Sequence, residues 1–181
     1  LEYFEGKKML IDSPLHKLLQ QMPKGGHLHV HIEAFIPMED FIGYTKEDFV
    51  YYNIEKNKLK TAPLGLDEPG YVPCNTLRKT WDRDGTFDDY LLSKLILQPE
   101  LLATRESKKI WKMFQEIFDL NADVVHYHKF YRAGLLAYYK QAVEEGISIV
   151  EVRHVSGNIF KDDLTFLTYQ EEFELYQSVI N

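Results

Sequence analysis

Met22-Pro23-Lys24-Gly25-Gly26-His27-Leu28-His29-Val30-His31-Ile32-Glu33-Ala34 is the stretch on which the fold turns. Its centre, His27 to Ile32, alternates with period two and contains β-branched residues, which predicts a strand. Pro23 and Gly25-Gly26 end the element before it. On a strand, residues two apart project from the same face, about 6.5–7 Å from each other. His27, His29 and His31 are therefore expected to point one way, and two neighbours could share a metal ion. Imidazole suits zinc, and a catalytic zinc site draws its other ligands from elsewhere while keeping one position open for water. A bare His-x-His spacing also fits idle histidines, provided that each finds a hydrogen-bond partner.

Upstream, Ser13 and Pro14 followed by Leu15, Leu18, Leu19 and Met22 predict a short helix with Ser13 as N-cap. Downstream, residues 44 to 80 hold Pro63, Gly65, Pro69-Gly70 and Pro73 among scattered tyrosines. That density of turn-formers predicts an irregular insertion rather than a core element. Thr86, with Asp88 and Asp89 behind it, predicts a helix start that Pro99 would close; capping and the helix dipole explain the acids. Further helices are expected over Ser107–Leu120 and Val124–Glu145, the latter stopped by Gly146. Ile147 to Arg153 reads as a buried strand, and a last helix begins near Thr168.

Strand, helices, strand, helix is the order of an α/β domain with a parallel sheet. Weaker candidates sit on this frame. His126 and His128 form a second His-x-His, but on a helix they would point about 200° apart and not share a metal. Glu151 and Arg153 read as a buried charge pair on one strand face.

Composition narrows the function classes. The chain has 181 residues, 45% of them hydrophobic, enough for one domain with a core. A formal net charge of −7 opposes the counterion release on which nucleic-acid binding depends, so small molecules are the expected partners. No apolar run approaches the ~20 residues of a membrane span. Cys74 is the sole cysteine, which excludes an internal disulfide and makes a cytoplasmic, reducing compartment the expectation.

The quoted stretch closely resembles the first-strand motif of adenosine deaminases, a Pro-Lys leader before Leu-His-x-His and a nearby acid. Its Met-Pro-Lys-Gly form is nearest to the adenosine deaminase-related growth factor branch of that amidohydrolase family. Three further segments carry the resemblance: Thr86-Phe87-Asp88-Asp89, without a spacer residue the branch has; Ile110-Trp111-Lys112-Met113-Phe114; and Val150-Glu151-Val152-Arg153. Together they span roughly residues 15 to 180.

The resemblance implies a (β/α)₈ TIM barrel, of which residues 1–181 would supply the N-terminal part, about two of eight strands, with 44–80 as an insertion after strand one. It implies one Zn²⁺ ion held by His29 and His31, with His27 a neighbour rather than a ligand. Glu33, where the family has Asp, would bind the ribose end of a purine nucleoside, and Trp111 would line the same side; an ordinary place in the core is the other reading of Trp111.

The implied reaction is hydrolytic deamination of adenosine to inosine. The remaining ligands and the proton donor, including a His-x-x-Glu motif, come from later strands in the family. After Arg153 the only histidine here is His154, so no catalytic residue is expected within this piece, which would be inactive alone. Two alternatives remain: a non-catalytic module that binds a ligand or associates with itself as a homo-oligomer, and a relative acting on AMP or adenine.

Overall fold

A computed structural model describes residues 9–98, 102–103 and 105–180. Pro99, the expected helix stop, lies outside them. Helix α1 (Pro14–Gln21) starts at Ser13, whose side chain accepts from the His16 amide, and Lys24 Nζ donates back to the carbonyls of Leu19 and Gln20. Both ends are capped, yet none of its residues is buried. Strand β1 (His27–His31) follows and runs straight into a one-turn helix, α2 (Ile32–Phe35), whose Ile32 is buried.

The stretch from 38 to 80 is more ordered than its turn-formers suggest. Helix α3 (Met38–Tyr44) leads into strands β2 (Val50–Asn53), β3 (Lys58–Thr61) and β4 (Val72–Pro73), an antiparallel sheet of order β3-β2-β4, and then into α4 (Cys74–Thr80). The turn residues occupy turns: Asn57, Gly65 and Gly70 all have positive φ. On the strands beside these turns, Val50, Tyr52 and Leu59 are buried in the main core. The expectation of an irregular segment is thus corrected. Short strands of alternating burial were hidden by the punctuation around them.

Helix α5 (Phe87–Leu95) opens with a reciprocal capping box between Thr86 and Asp89, while Asp88 pairs with Arg78, which also donates to the Thr45 carbonyl at the end of α3. The two long helices are α6 (Ser107–Val125) and α7 (His128–Glu144). Their boundary lies at His126-Tyr127, later than the spacing suggests, because the Tyr127 backbone leaves the helix to bridge Phe160. Gly146 has a φ of 74° and, with Ile147, donates to Val143 and Ala142 in a Schellman stop. Strand β5 (Val150–Arg153) and helix α8 (Tyr169–Ile180) complete the order.

β5 pairs parallel with β1 in a two-stranded sheet. The architecture is mixed α/β, as the sequence implied. The expected strand 147–153 is shorter and only half-buried: Glu151 and Arg153 are exposed, 3.4 Å apart, so the buried charge pair is corrected to a surface one.

The core joins both sheets through α6. Leu120 and Val124 are buried, and Asp123 Oδ1 accepts from the Thr61 amide at 2.6 Å, which ties β3 to that helix. Burial raises the Asp123 carboxyl above its usual range, and the Thr61 amide and nearby Lys60 only partly offset this. Cys74 is also fully buried, and burial pushes its thiol up to about 12. Because the thiolate is the reactive form, Cys74 is expected to resist a thiol reagent in the native chain and to react once denaturant unfolds it. Rapid labelling of the native protein would contradict this packing.

Candidate functional site

The face of β1 is decided by an irregularity in its pairing. His27 lies opposite Val150 and Val30 opposite Val152, so three steps on β1 match two on β5. A bulge of this kind breaks the two-residue alternation. His27 turns towards the helices, where its Nδ1 meets the Tyr138 hydroxyl on α7. His29 and His31 lie exposed, on the other face. The expectation that all three rings share a face is therefore corrected: one extra residue separates the first from the other two.

The remaining pair converges. Nε2 of His29 and Nε2 of His31 are 2.9 Å apart, with ring centroids at 4.9 Å. Two imidazole nitrogens bound at 2.0–2.1 Å to one tetrahedral zinc would lie about 3.3 Å apart. The pair fits such an ion with a shift of a few tenths of an ångström. Arg153 donates from Nε to His29 Nδ1 at 3.2 Å and from Nη2 to the Leu28 carbonyl at 3.1 Å. A guanidinium can only donate, so it meets the acceptor nitrogen of His29 and leaves Nε2 facing His31. Among the described residues no group of three or more His, Cys, Asp or Glu is placed to hold a metal.

Glu33 sits in the first turn of α2, two residues past His31, and its Oε1 is 3.0 Å from His126 Nε2. Burial alone would raise the carboxyl's pKa, but the hydrogen bond and charge of His126, with a smaller effect from His31, hold it below the usual range. His126 is the residue that sequence reasoning undervalued. It caps α6 rather than lying within a helix with His128, whose own ring reaches Asp162 at 3.4 Å. The two histidines do serve separate partners, though a helix break rather than helical spacing separates them.

Glu33 and Asn121 help to line a cavity of about 350 Å³ whose other walls include Met38, Leu95, Phe114 and Phe118. Trp111 lies one turn before Phe114, its ring tilted against it at 5.5 Å between centroids, and is 62% exposed. An ordinary core aromatic it is not. Nothing in the sequence pattern singled out Asn121, which is an apolar-helix neighbour until α2 and α5 close around it.

Fold and site together define an α/β protein with a converging histidine pair at a parallel strand, beside an acid-bearing apolar cavity. No family model matches the chain. Curated proteins do. It is 25% identical over 170 residues to an adenosine deaminase of Lutzomyia longipalpis, covering 88% of this chain and 32% of that protein. It is 24% identical to adenosine deaminase 2 of Dictyostelium discoideum (91% and 32% covered) and 22% identical to adenosine deaminase 2 of Homo sapiens (94% and 37%). The chain is a homologue of proteins named adenosine deaminase and adenosine deaminase 2, which bears out the resemblance read from its motifs. It spans about a third of the length of these relatives.

Proposed function

We propose that the chain contributes the first-strand half of a zinc site in an adenosine deaminase-like hydrolase that converts adenosine to inosine. The observation that carries this reading is the 2.9 Å approach of the His29 and His31 Nε2 atoms on the open face of β1, next to the cavity that Glu33 lines. Zinc, when bound, lowers the pKa of a coordinated water so that hydroxide is present near neutral pH. His29 and His31 would hold the ion; ligation through His29 Nε2 would move that ring's proton to Nδ1, so the Arg153 Nε contact to Nδ1 at 3.2 Å would have to be released. Glu33, ionised and anchored by His126, accepts from the sugar of the nucleoside. Trp111, exposed beside the cavity-lining Phe114, offers an aromatic face to a ligand.

Among the described residues the cavity lining contains no lysine or arginine. A nucleoside is thus favoured over AMP, whose phosphate would call for a cationic partner. No helix among the described residues is long and apolar enough to cross a membrane. A reducing, cytoplasmic setting is proposed on the single cysteine alone. Self-association is supported by α1 and its C-cap, where Leu15, Leu18 and Met22 are all at least half exposed. Among the described residues no third ligand joins His29 and His31, and the proton donor is expected from later strands, so in this reading the 181-residue chain is inactive by itself.

An assay of inosine formation tests it in two arms. The longest natural reading frame that contains these residues is expected to deaminate adenosine with zinc and to stop after chelation; the 181-residue chain is expected to show no turnover. Failure of the first arm refutes the deaminase reading. Zinc-dependent turnover in the second refutes the inactivity.

A further inference from the structure

The proposed reaction asks nothing of Glu151 and only the departure of Arg153. Both stand on the open face of the parallel sheet. His31 lies opposite Arg153, Val30 opposite Val152 and His27 opposite Val150, so that Leu28 and His29 together face Glu151 alone. Glu151 and Arg153 are the exposed positions of β5, alternating with half-buried Val150 and Val152, just as His29 and His31 are exposed on β1. Arg153 joins the two strands. Its Nε donates to His29 Nδ1 at 3.2 Å, and its Nη2 donates to the Leu28 carbonyl at 3.1 Å and to Glu151 Oε2 at 3.4 Å. Carboxylate, guanidinium and the two imidazoles thus form one row. A half-exposed ion pair of this kind adds little to stability, so its place against His29 calls for another account.

A guanidinium only donates, so the partner of Arg153 is His29 with a bare Nδ1 and its ring hydrogen on Nε2, towards His31. An imidazole that ligates through Nε2 has the opposite arrangement. Its hydrogen sits on Nδ1 and is donated to a carboxylate, a carbonyl or water, and that outer partner fixes the ring and raises its basicity. Arg153 cannot serve there, since two donors would meet and a second positive charge would stand beside the dication. Glu151 has the chemistry required. Neighbouring strands lie about 4.8 Å apart, less than the combined reach of a glutamate and a histidine side chain on the same face.

We infer that Arg153 and Glu151 are positioning residues that exchange places at His29 Nδ1: Arg153 holds the ring in the metal-free chain, and Glu151 accepts from Nδ1–H once the histidine pair ligates zinc. This rests on the zinc reading above and adds to it the pair of side chains that sets the balance between the empty and the loaded site. The exchange moves one hydrogen between the two nitrogens of a single ring through solvent, with no net gain or loss of a proton. A carboxylate has two oxygens, so Glu151 can take the ring on one and keep the displaced guanidinium on the other. Arg153 therefore opposes loading and Glu151 favours it. Two residues paired with each other for stability alone would not act in opposite directions.

Zinc affinity is measured on the full chain, on Arg153→Met and on Glu151→Ala, at about 0.5 M salt so that long-range attraction and repulsion are screened. Arg153→Met is expected to bind zinc about ten-fold more tightly, because the competing hydrogen bond is gone. Glu151→Ala is expected to bind it about ten-fold less tightly, the lower end of the loss seen when an outer partner of a ligating histidine is removed. Weaker binding in both variants marks an ordinary structural pair and overturns the inference, as does an unchanged affinity in both.

Proton–nitrogen correlation spectra of the His29 ring in the unaltered chain decide the matter even where a variant fails to fold. The ring hydrogen is expected on Nε2 without zinc and on Nδ1 with it, and Nδ1–H should exchange with solvent about ten-fold more slowly than in Glu151→Ala. A hydrogen found on Nδ1 in both conditions refutes the exchange. Zinc binding that needs His29 and His31 but ignores both substitutions sinks only the roles of Arg153 and Glu151. Absence of any saturable zinc binding by the unaltered chain sinks the zinc reading and the inference together.

Discussion

Replacing His29 and His31 together by alanine is expected to abolish saturable zinc binding, and replacing either one to weaken it at least about a hundred-fold, or about 2.7 kcal/mol. The two Nε2 atoms, 2.9 Å apart, are the only pair of ring nitrogens recorded at that separation among the described residues. A single imidazole left in place holds the ion by one bond and loses the advantage of a second ligand already at hand. Both rings are exposed and neither packs in the core, so the substitutions should leave the thermal midpoint of the metal-free chain within about 0.5 kcal/mol of its starting stability. Equilibrium dialysis against zinc, paired with thermal denaturation, separates the two effects. His27→Ala is the control. That ring faces Tyr138 across the bulge, so its loss should disturb packing and leave zinc affinity nearly unchanged. Zinc binding that survives the double substitution, or falls with His27 instead, would remove the basis of the metal site.

Tyr52→Ala is expected to destabilise the whole chain by about 3–5 kcal/mol, the range for truncating a large buried aromatic. Tyr52 is fully buried in the middle strand of the antiparallel sheet, its ring edge-on to Phe87 of α5 at 5.8 Å, its hydroxyl bonded to Asn57 at 2.6 Å. Burial lifts the hydroxyl's pKa well above the usual tyrosine range, so it remains a neutral donor there at any ordinary pH. Were residues 44–80 a loose appendage on the domain, the substitution would melt them locally and spare the remainder. The shared core predicts one cooperative transition, displaced as a unit. Denaturant unfolding followed separately by tyrosine fluorescence and by far-ultraviolet circular dichroism would tell these apart, since divergent midpoints would mean that the small sheet unfolds on its own.

A second buried network marks how much the chain invests near the end of β5. His154, directly after Arg153, lies 3.0 Å from both the Tyr131 hydroxyl and Glu172 Oε2, while Glu172 Oε1 accepts from the Gly157 amide at 2.7 Å. Tyr131 also meets the Tyr176 hydroxyl, and burial pushes Tyr176 up to about 12. These bonds pin α8 and the loop before it to α7. They hold the end of β5, and hence Arg153, in register behind His29.

Local sequence rules determined a good deal of this protein. Ser13, Thr86 and Gly146 mark helix ends because each satisfies backbone groups within three or four residues of itself. The period-two run from His27 placed the first strand for the same kind of reason. The homology, too, was legible in four short motifs. What only the tertiary structure decided were relations across the chain. The bulge that turns His27 away from His29 and His31 exists because β1 must match β5, more than a hundred residues later. Residues 50–61 form a sheet because α6 offers them a surface to cover. Glu33 finds His126, and Asn121 is stranded in a cavity wall, because α2, α5 and α6 converge. Hydrogen bonds within a turn can be read from neighbouring letters; burial and partnership between distant elements depend on the packing of the whole core, which no local spacing encodes.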